Sequence, residues 1–496
     1  MQRQDSIAIG TSAGQTLQSD NAIAIGSQSG SINQGSASVA IGFNAGQTNQ
    51  GDNCIAVGKD AGLNYQNANS IAIGSQAGRE TQGLNAIAIG RESGLGNQGN
   101  NSIAIGYNSA YTDQSYNSIA IGSNAGYTNQ DGNSIAIGTD SGKTNQGNNA
   151  IAIGEQSGLG NQGIKSIAIG YFAGNIDQSY NSIAIGSNAG RTNQGANSIA
   201  IGSNSGAKNQ GINSIAIGND AGTTEQGIGC IAIGIGAGST YQSNNSIAIG
   251  LGSGSETQGL NSIAIGIFSG NDRQKNNSIA IGSYAGQNRQ NNNSIAIGNV
   301  AGAEDQSSNS IAIGGSAGYD KQGAYSIAIG YSAGYRNQTN NSIIINATGL
   351  DLSSMDVSGL FIAPIRGTAS TTPTLVYNTS TKEITYNTSS IKYKKNVVDI
   401  SQNTEHIYNI SAREYDTIIG NTHHIGYIAE ELNDIDTNFT WKNPDGTPEG
   451  IEWFNMVVYM IEEMKKLKKV NDDLLIENEK LKKDIDNLYN INSIQK

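Results

Sequence analysis

Clusters of apolar, small and apolar residues recur every sixteen positions along most of this chain. The triplet Ile-Ala-Ile, or a close variant, begins at Ile7, Ile23, Val39 and Ile55, keeps step to Ile327 and has a last echo at Ile343. In such a triplet the first and third side chains share one face and Ala takes the other, the period-two signature of a short strand. Gly follows the triplet in all twenty-one full repeats, from Gly10 to Gly330, and Gln holds the twelfth position in all twenty-one, from Gln18 to Gln338. Position eight is Gly in twenty repeats, Ala110 being the exception. A strict period this short predicts one solenoid coil per repeat, because a single lost residue would break the stack.

The consensus coil reads I-A-I-G-x-x-A-G-x-x-x-Q-x-x-N-S. The two glycine positions permit tight corners. The variable positions five, six, nine to eleven, thirteen and fourteen are expected on solvent-facing loops. A narrow stripe of Ile and Ala is expected inside, with the Gln amides stacked along the rod, each bonding to the next coil. At about 4.8 Å per coil the stack spans on the order of 100 Å. Burial of two Ile and one or two Ala gives roughly 3–6 kcal/mol per coil, whereas ordering the backbone costs about 1 kcal/mol per residue. Several chains packing their Ile stripes around a shared axis are the simplest remedy.

The period fails after Asn346. Residues 347–388 alternate β-branched and aromatic residues with turn formers and read as short strands that close the solenoid. From Ser389 the composition turns ordinary, with both Trp and all three His. Leu467, Leu474, Leu481 and Leu488 then recur every seven residues, with Met464, Asn471, Asn478 and Ile485 at the partner positions. That is a parallel coiled coil of about four heptads. Its two core Asn favour a dimer, whereas the other features favour a trimer. The expected organisation is therefore a mostly β chain: a sixteen-residue-repeat parallel β-roll at 1–346, a β-rich connector at 347–388, a small α+β core at 389–452, and a C-terminal helix and coiled coil at 453–496.

Charge and cysteine narrow the function classes. The chain has a formal net charge of −12, half of it on residues 389–496, and no basic patch invites nucleic acid. Cys54 and Cys230 lie eleven coils apart, far beyond disulfide reach. The opening residues enter the repeat at once without an apolar leader, and no run of eighteen apolar residues follows, so a cytoplasmically made product without membrane insertion is expected. Carboxylates such as Asp20, Glu92, Asp113 and Asp272 are scattered over variable loops without recurrent pairing. No metal or cofactor is expected.

Two resemblances add to this. Ser6-Ile7-Ala8-Ile9-Gly10, Ser38-Val39-Ala40-Ile41-Gly42, Ser102-Ile103-Ala104-Ile105-Gly106 and their kin resemble the head repeats of trimeric autotransporter adhesins, left-handed parallel β-rolls, which implies a trimer. Ser389–Val397, His424–Leu432 and Gly450–Met464 resemble, in order, three motifs of the peptidase S74 family, with Lys392 where that family carries Arg. Members are intramolecular chaperone domains of viral fibres and tailspikes. The resemblance implies self-cleavage at Thr388–Ser389, with Ser389 as nucleophile, Lys394 as base and His424 as an assistant; His423 is equally close to the motif.

The resulting expectation is a self-cleaving serine peptidase with a Ser-Lys dyad at the end of a homotrimeric viral fibre, carried on the virion surface. Its trimerisation residues would be Leu467, Leu474, Leu481 and Leu488, and its external partner a host surface glycan or receptor. A cell-surface adhesin and a polysaccharide-cleaving tailspike are the alternatives.

Overall fold

The computed structural model describes residues 3–494 except 355, 367–374, 379–380, 387, 419–420 and 444. Residues 355, 367–374, 379–380 and 387 of the expected connector thus lie outside the described residues. The chain divides into two compact units, residues 1–366 and 367–496.

The first unit is a parallel β-solenoid of about 22 turns. Each coil lays down an Ile-Ala-Ile strand, such as Ile23–Ile25, and most add a second strand ending in Gln, such as Ile32–Gln34. Successive first strands pair in strict register, Ile7 on Ile23, Ala8 on Ala24 and Ile9 on Ile25, and together they build a 23-stranded sheet. The second strands form a sheet of 12 and another of 3. Beyond Gln258 they are reduced to single bridges.

The interior corrects one expectation. Ala24, Ala40, Ala56 and their successors are fully buried, together with the Gln column and the Ser column of position sixteen. The flanking Ile residues point outward and stay half-buried or exposed, Ile9, Ile41, Ile185 and Ile329 among the exposed ones. Where methyls, hydroxyls and one extended amide per coil fill the lumen, no room is left for Ile. Strand alternation therefore sends the bulky pair to the other face.

Gln braces each coil from within. Gln146 Nε2 donates to the Ile135 carbonyl of its own coil at 2.7 Å and to Gln162 Oε1 of the next coil at 3.1 Å. The expected ladder between coils is met only in part. It runs unbroken from Gln226 to Gln338, but earlier it is interrupted, and Gln18, Gln34, Gln82 and Gln98 leave Oε1 without a partner. The shorter bond crosses the lumen and ties the two strands of one coil together. The glycines are fixed by contact as well as conformation. Gly138 has φ +126°, and a Cβ there would fall 2.6 Å from the Gly154 carbonyl oxygen. Asn at position fifteen accepts the left-handed backbone, as at Asn101 with φ +58°. Its amide donates to Asn117 one coil further on at 3.3 Å.

Short strands close the stack. Ile343–Asn346 is followed by one more parallel strand, Leu360–Ala363, with Ile344 opposite Phe361. Ile344 stands where earlier coils have Ala, and it packs against Leu352 and Phe361. The lumen therefore ends in an ordinary apolar plug. Cys54 and Cys230 are both free and buried in the Ser column. Burial pushes both thiols above their usual pKa.

The second unit is built from hairpins and two helices, α1 (Ala429–Ile435) and α2 (Trp453–Ile494). Hairpins pair Leu375–Tyr377 with Ile384–Tyr386, Arg413–Asp416 with His423–Gly426, and Thr440–Lys442 with Pro448–Ile451. Leu432, Phe439, Met456 and Tyr459 form its core, with Ile407, Ile410, Tyr427, Ile435 and Ile451 packed around them.

Candidate functional site

Ser389 and Lys394 meet. Ser390 is extended, a single 3₁₀ turn covers Ile391–Tyr393, and Lys394 is extended again. The turn is closed by Tyr393 N–H donating to Ser390 O and Lys394 N–H donating to Ile391 O, each at 3.0 Å. One turn folds the chain back so that residues five apart become neighbours. Lys394 Nζ lies 2.7 Å from Ser389 Oγ and donates to it. Thr388, Ser389 and Lys394 are all exposed. Lys392 is drawn away from the pair and sits over the Tyr393 ring, 4.8 Å from its centroid.

The two histidines are occupied elsewhere. His424 stands opposite Tyr415 in its hairpin and stacks on that ring at 6.0 Å. His423 Nδ1 lies 3.0 Å from Asp416 Oδ1. Among the described residues, no hydrogen bond or ring contact joins either histidine to Ser389 or Lys394.

Two polar centres went unforeseen. Asp436 accepts hydrogen bonds from Asn438 N–H at 2.9 Å and Tyr459 O–H at 3.0 Å, and its Oδ2 is 3.1 Å from His406 Nδ1. Burial raises the pKa of this carboxyl, but the bonds from Asn438, His406 and Tyr459 outweigh it and hold the group below its ordinary value. Glu463, also buried, accepts from Lys466 at 2.6 Å and from the Thr404 hydroxyl. Lys466 and the Thr404 hydroxyl hold its carboxyl below the ordinary range. The local signals were the Asx-type turn at Asp436-Thr437-Asn438 and the i,i+3 spacing of Glu463 and Lys466, since the other partners lie 23 to 59 residues away.

The seam of α2 is bare in the single chain. Leu467, Leu474, Leu481 and Leu488 are each more than half exposed. At its start the seam widens into a mainly apolar groove lined by Ile407, Tyr408, Met460, Met464 and Leu467, with Glu463 among them. Among the described residues no helix is long and apolar enough to cross a membrane.

The fold and its outward Ile columns define a class: a parallel β-solenoid built from short, regular repeats. Within it, two segments, residues 98–109 and 194–221, match the model of the YadA head domain repeat. Comparison with curated proteins and with solved structures gave no match.

Proposed function

We propose that this chain is the subunit of a homotrimeric, adhesin-like fibre whose C-terminal unit gathers three chains and then cuts itself away. The observation that carries the reading is the unbroken outward face of Ile along the 23-stranded sheet. A large contiguous apolar surface of this kind marks a protein–protein contact. Covering the exposed part of each Ile contributes on the order of 1 kcal/mol, and the columns supply two per coil. Similarity to the YadA head domain repeat supports a trimer, and the bare Leu467–Leu488 seam supports self-association. The two core Asn are outweighed because the rod and the preceding core can dictate chain number.

The release step rests on the Ser389–Lys394 contact. As an ammonium Lys394 donates to Ser389; as a neutral amine it would accept the hydroxyl proton along the same 2.7 Å line. Ser389 Oγ then attacks the Thr388 carbonyl carbon. The Oγ–C bond forms, the peptide C–N bond breaks, and Lys394 passes the proton to the leaving amine, which is the α-amine of Ser389. Water hydrolyses the resulting ester to a Thr388 carboxylate and regenerates the Ser389 hydroxyl. The pair is exposed in the single chain and would be enclosed only between chains, so cleavage would follow assembly. The tail's resemblance to peptidase S74 domains supports a virion fibre that meets a host surface glycan or receptor.

Sedimentation and intact mass spectrometry of the expressed chain test this together. The expected result is a threefold assembly and a fragment boundary at Thr388–Ser389. A folded solitary chain sinks the fibre reading, and an assembled but uncut chain sinks the release step alone.

A further inference from the structure

A rod of near-identical coils has an alignment problem. Every first strand offers outward Ile or Val at positions one and three, so a neighbour shifted by one whole coil meets the same columns. Such a slip sacrifices contacts only at the two ends. Regular side-chain patterns specify register weakly for this reason. Within the rod, alignment must come from residues that break the repeat next to the Ile face.

One cluster does so. Position five, two residues beyond the second Ile, is mostly Ser, Thr, Asn or charged, with isolated aromatics at Phe43, Tyr107, Tyr171 and Tyr331. Three successive coils depart from this: Ile235, Leu251 and Ile267 are 59%, 43% and 47% exposed. Beside them Phe268 stacks on Tyr284, centroids 5.6 Å apart. The Phe268 ring also covers Gly252 so closely that a Cβ there would lie 2.6 Å from it. The aromatic pair is thus seated, whereas the aliphatic ladder is left uncovered. This run of apolar residues at position five occurs once in the rod and is continuous in sequence with the outward columns at Ile233, Ile249 and Ile265.

We propose that Ile235, Leu251 and Ile267, backed by Phe268 and Tyr284, form a register key that rests against a second copy of this chain and fixes which coil faces which. The inference depends on the lateral association proposed above. Its consequence is that alignment does not depend on the C-terminal unit alone. In a one-coil slip, one member of the ladder faces a polar position-five neighbour such as Asn219 or Ser283 and loses its apolar partner.

The experiment uses full-length chains carrying one spin label at Ser203→Cys, with pulsed dipolar spectroscopy reading the distance between chains. The unaltered background should give one narrow distance. The triple variant I235S/L251S/I267N, which takes residue types found at position five elsewhere, should still associate but add longer distances. In these, whole-coil axial offsets of about 4.8 Å each combine in quadrature with the lateral separation. The apolar swap I235L/L251I/I267L should restore the single distance. A triple variant as narrow as the background overturns the key. So does one that no longer associates, because the Ile columns should hold the chains together without it. If the background itself shows no distance between chains, the association reading fails instead.

Discussion

The solenoid and the C-terminal unit bury their side chains in opposite ways. In the C-terminal unit, large residues go inside: Phe439, Leu432, Met456 and Tyr459 make one small core. In the solenoid, Ala, Ser and Gln go inside and Ile goes out. The first arrangement stabilises through buried area, as in most small domains. The second relies on repeated backbone ladders, internal amide braces and a surface that waits for another chain. What both units share is an exposed apolar seam, Ile columns in one and the Leu467–Leu488 stripe in the other. The difference teaches that apolar content alone does not locate a core; the room between the strands does.

The comparison can be broken most forcefully at a glycine. Gly138→Val combines a φ of +126° with a carbonyl 2.6 Å from the new Cβ and should cost on the order of 3 kcal/mol or more. Loss of β-sheet signal and of soluble expression is the readout. Ile137→Ser, one residue earlier but on the outer face, should leave the coil intact and weaken only association, visible by sedimentation. If the two variants behave alike, the inside-out assignment is wrong.

Next in size is the dyad. Lys394→Met should slow scission by roughly 10²–10⁴-fold, and Ser389→Ala should remove it, both read as band ratios on a denaturing gel. Scission that persists in Ser389→Ala would assign the chemistry elsewhere.

Gln146→Leu keeps approximate volume but leaves the Ile135 carbonyl without its lumen donor. The expected loss is about 1–3 kcal/mol, seen as a lower denaturant midpoint for the rod with the C-terminal unit unchanged.

The smallest effect is expected at Asp436. Its depressed carboxyl contributes stability that is complete above the ordinary carboxylate pKa and is lost as pH falls through the lower folded value. Asp436→Asn should therefore flatten the acid end of the C-terminal unit's pH–stability curve while leaving the solenoid's unchanged. An unaltered acid limb would remove Asp436 from the account.

The legibility of these features followed the distance over which each is encoded. Coil length, corners and the Gln column are set within sixteen residues, and the periodicity of Gly10, Gly14 and Gln18 exposed them. Alternation told that Ile7 and Ile9 share a face; it carried no information on which face is enclosed, since that depends on the opposite strand. Ser389 and Lys394 were readable as partners only through the resemblance to peptidase S74 motifs. The single turn that joins them is local, but a Ser and a Lys five apart carry no such signal alone. The position of His424 is fixed instead by its pairing with Tyr415 across a hairpin, and the Thr404–Glu463 bond closes over 59 residues. Neither leaves a mark in local spacing.

Because each brace closes within its own coil and each hydrogen-bond ladder is completed by adjacent coils, no part of the solenoid measures its total extent. An in-frame gain or loss of one repeat would shift the tip by a single rung and leave every other rung satisfied. Reach is thus a counted property, open to revision in whole steps by recombination between like segments, whereas a fractional step would strand the glycines against backbone.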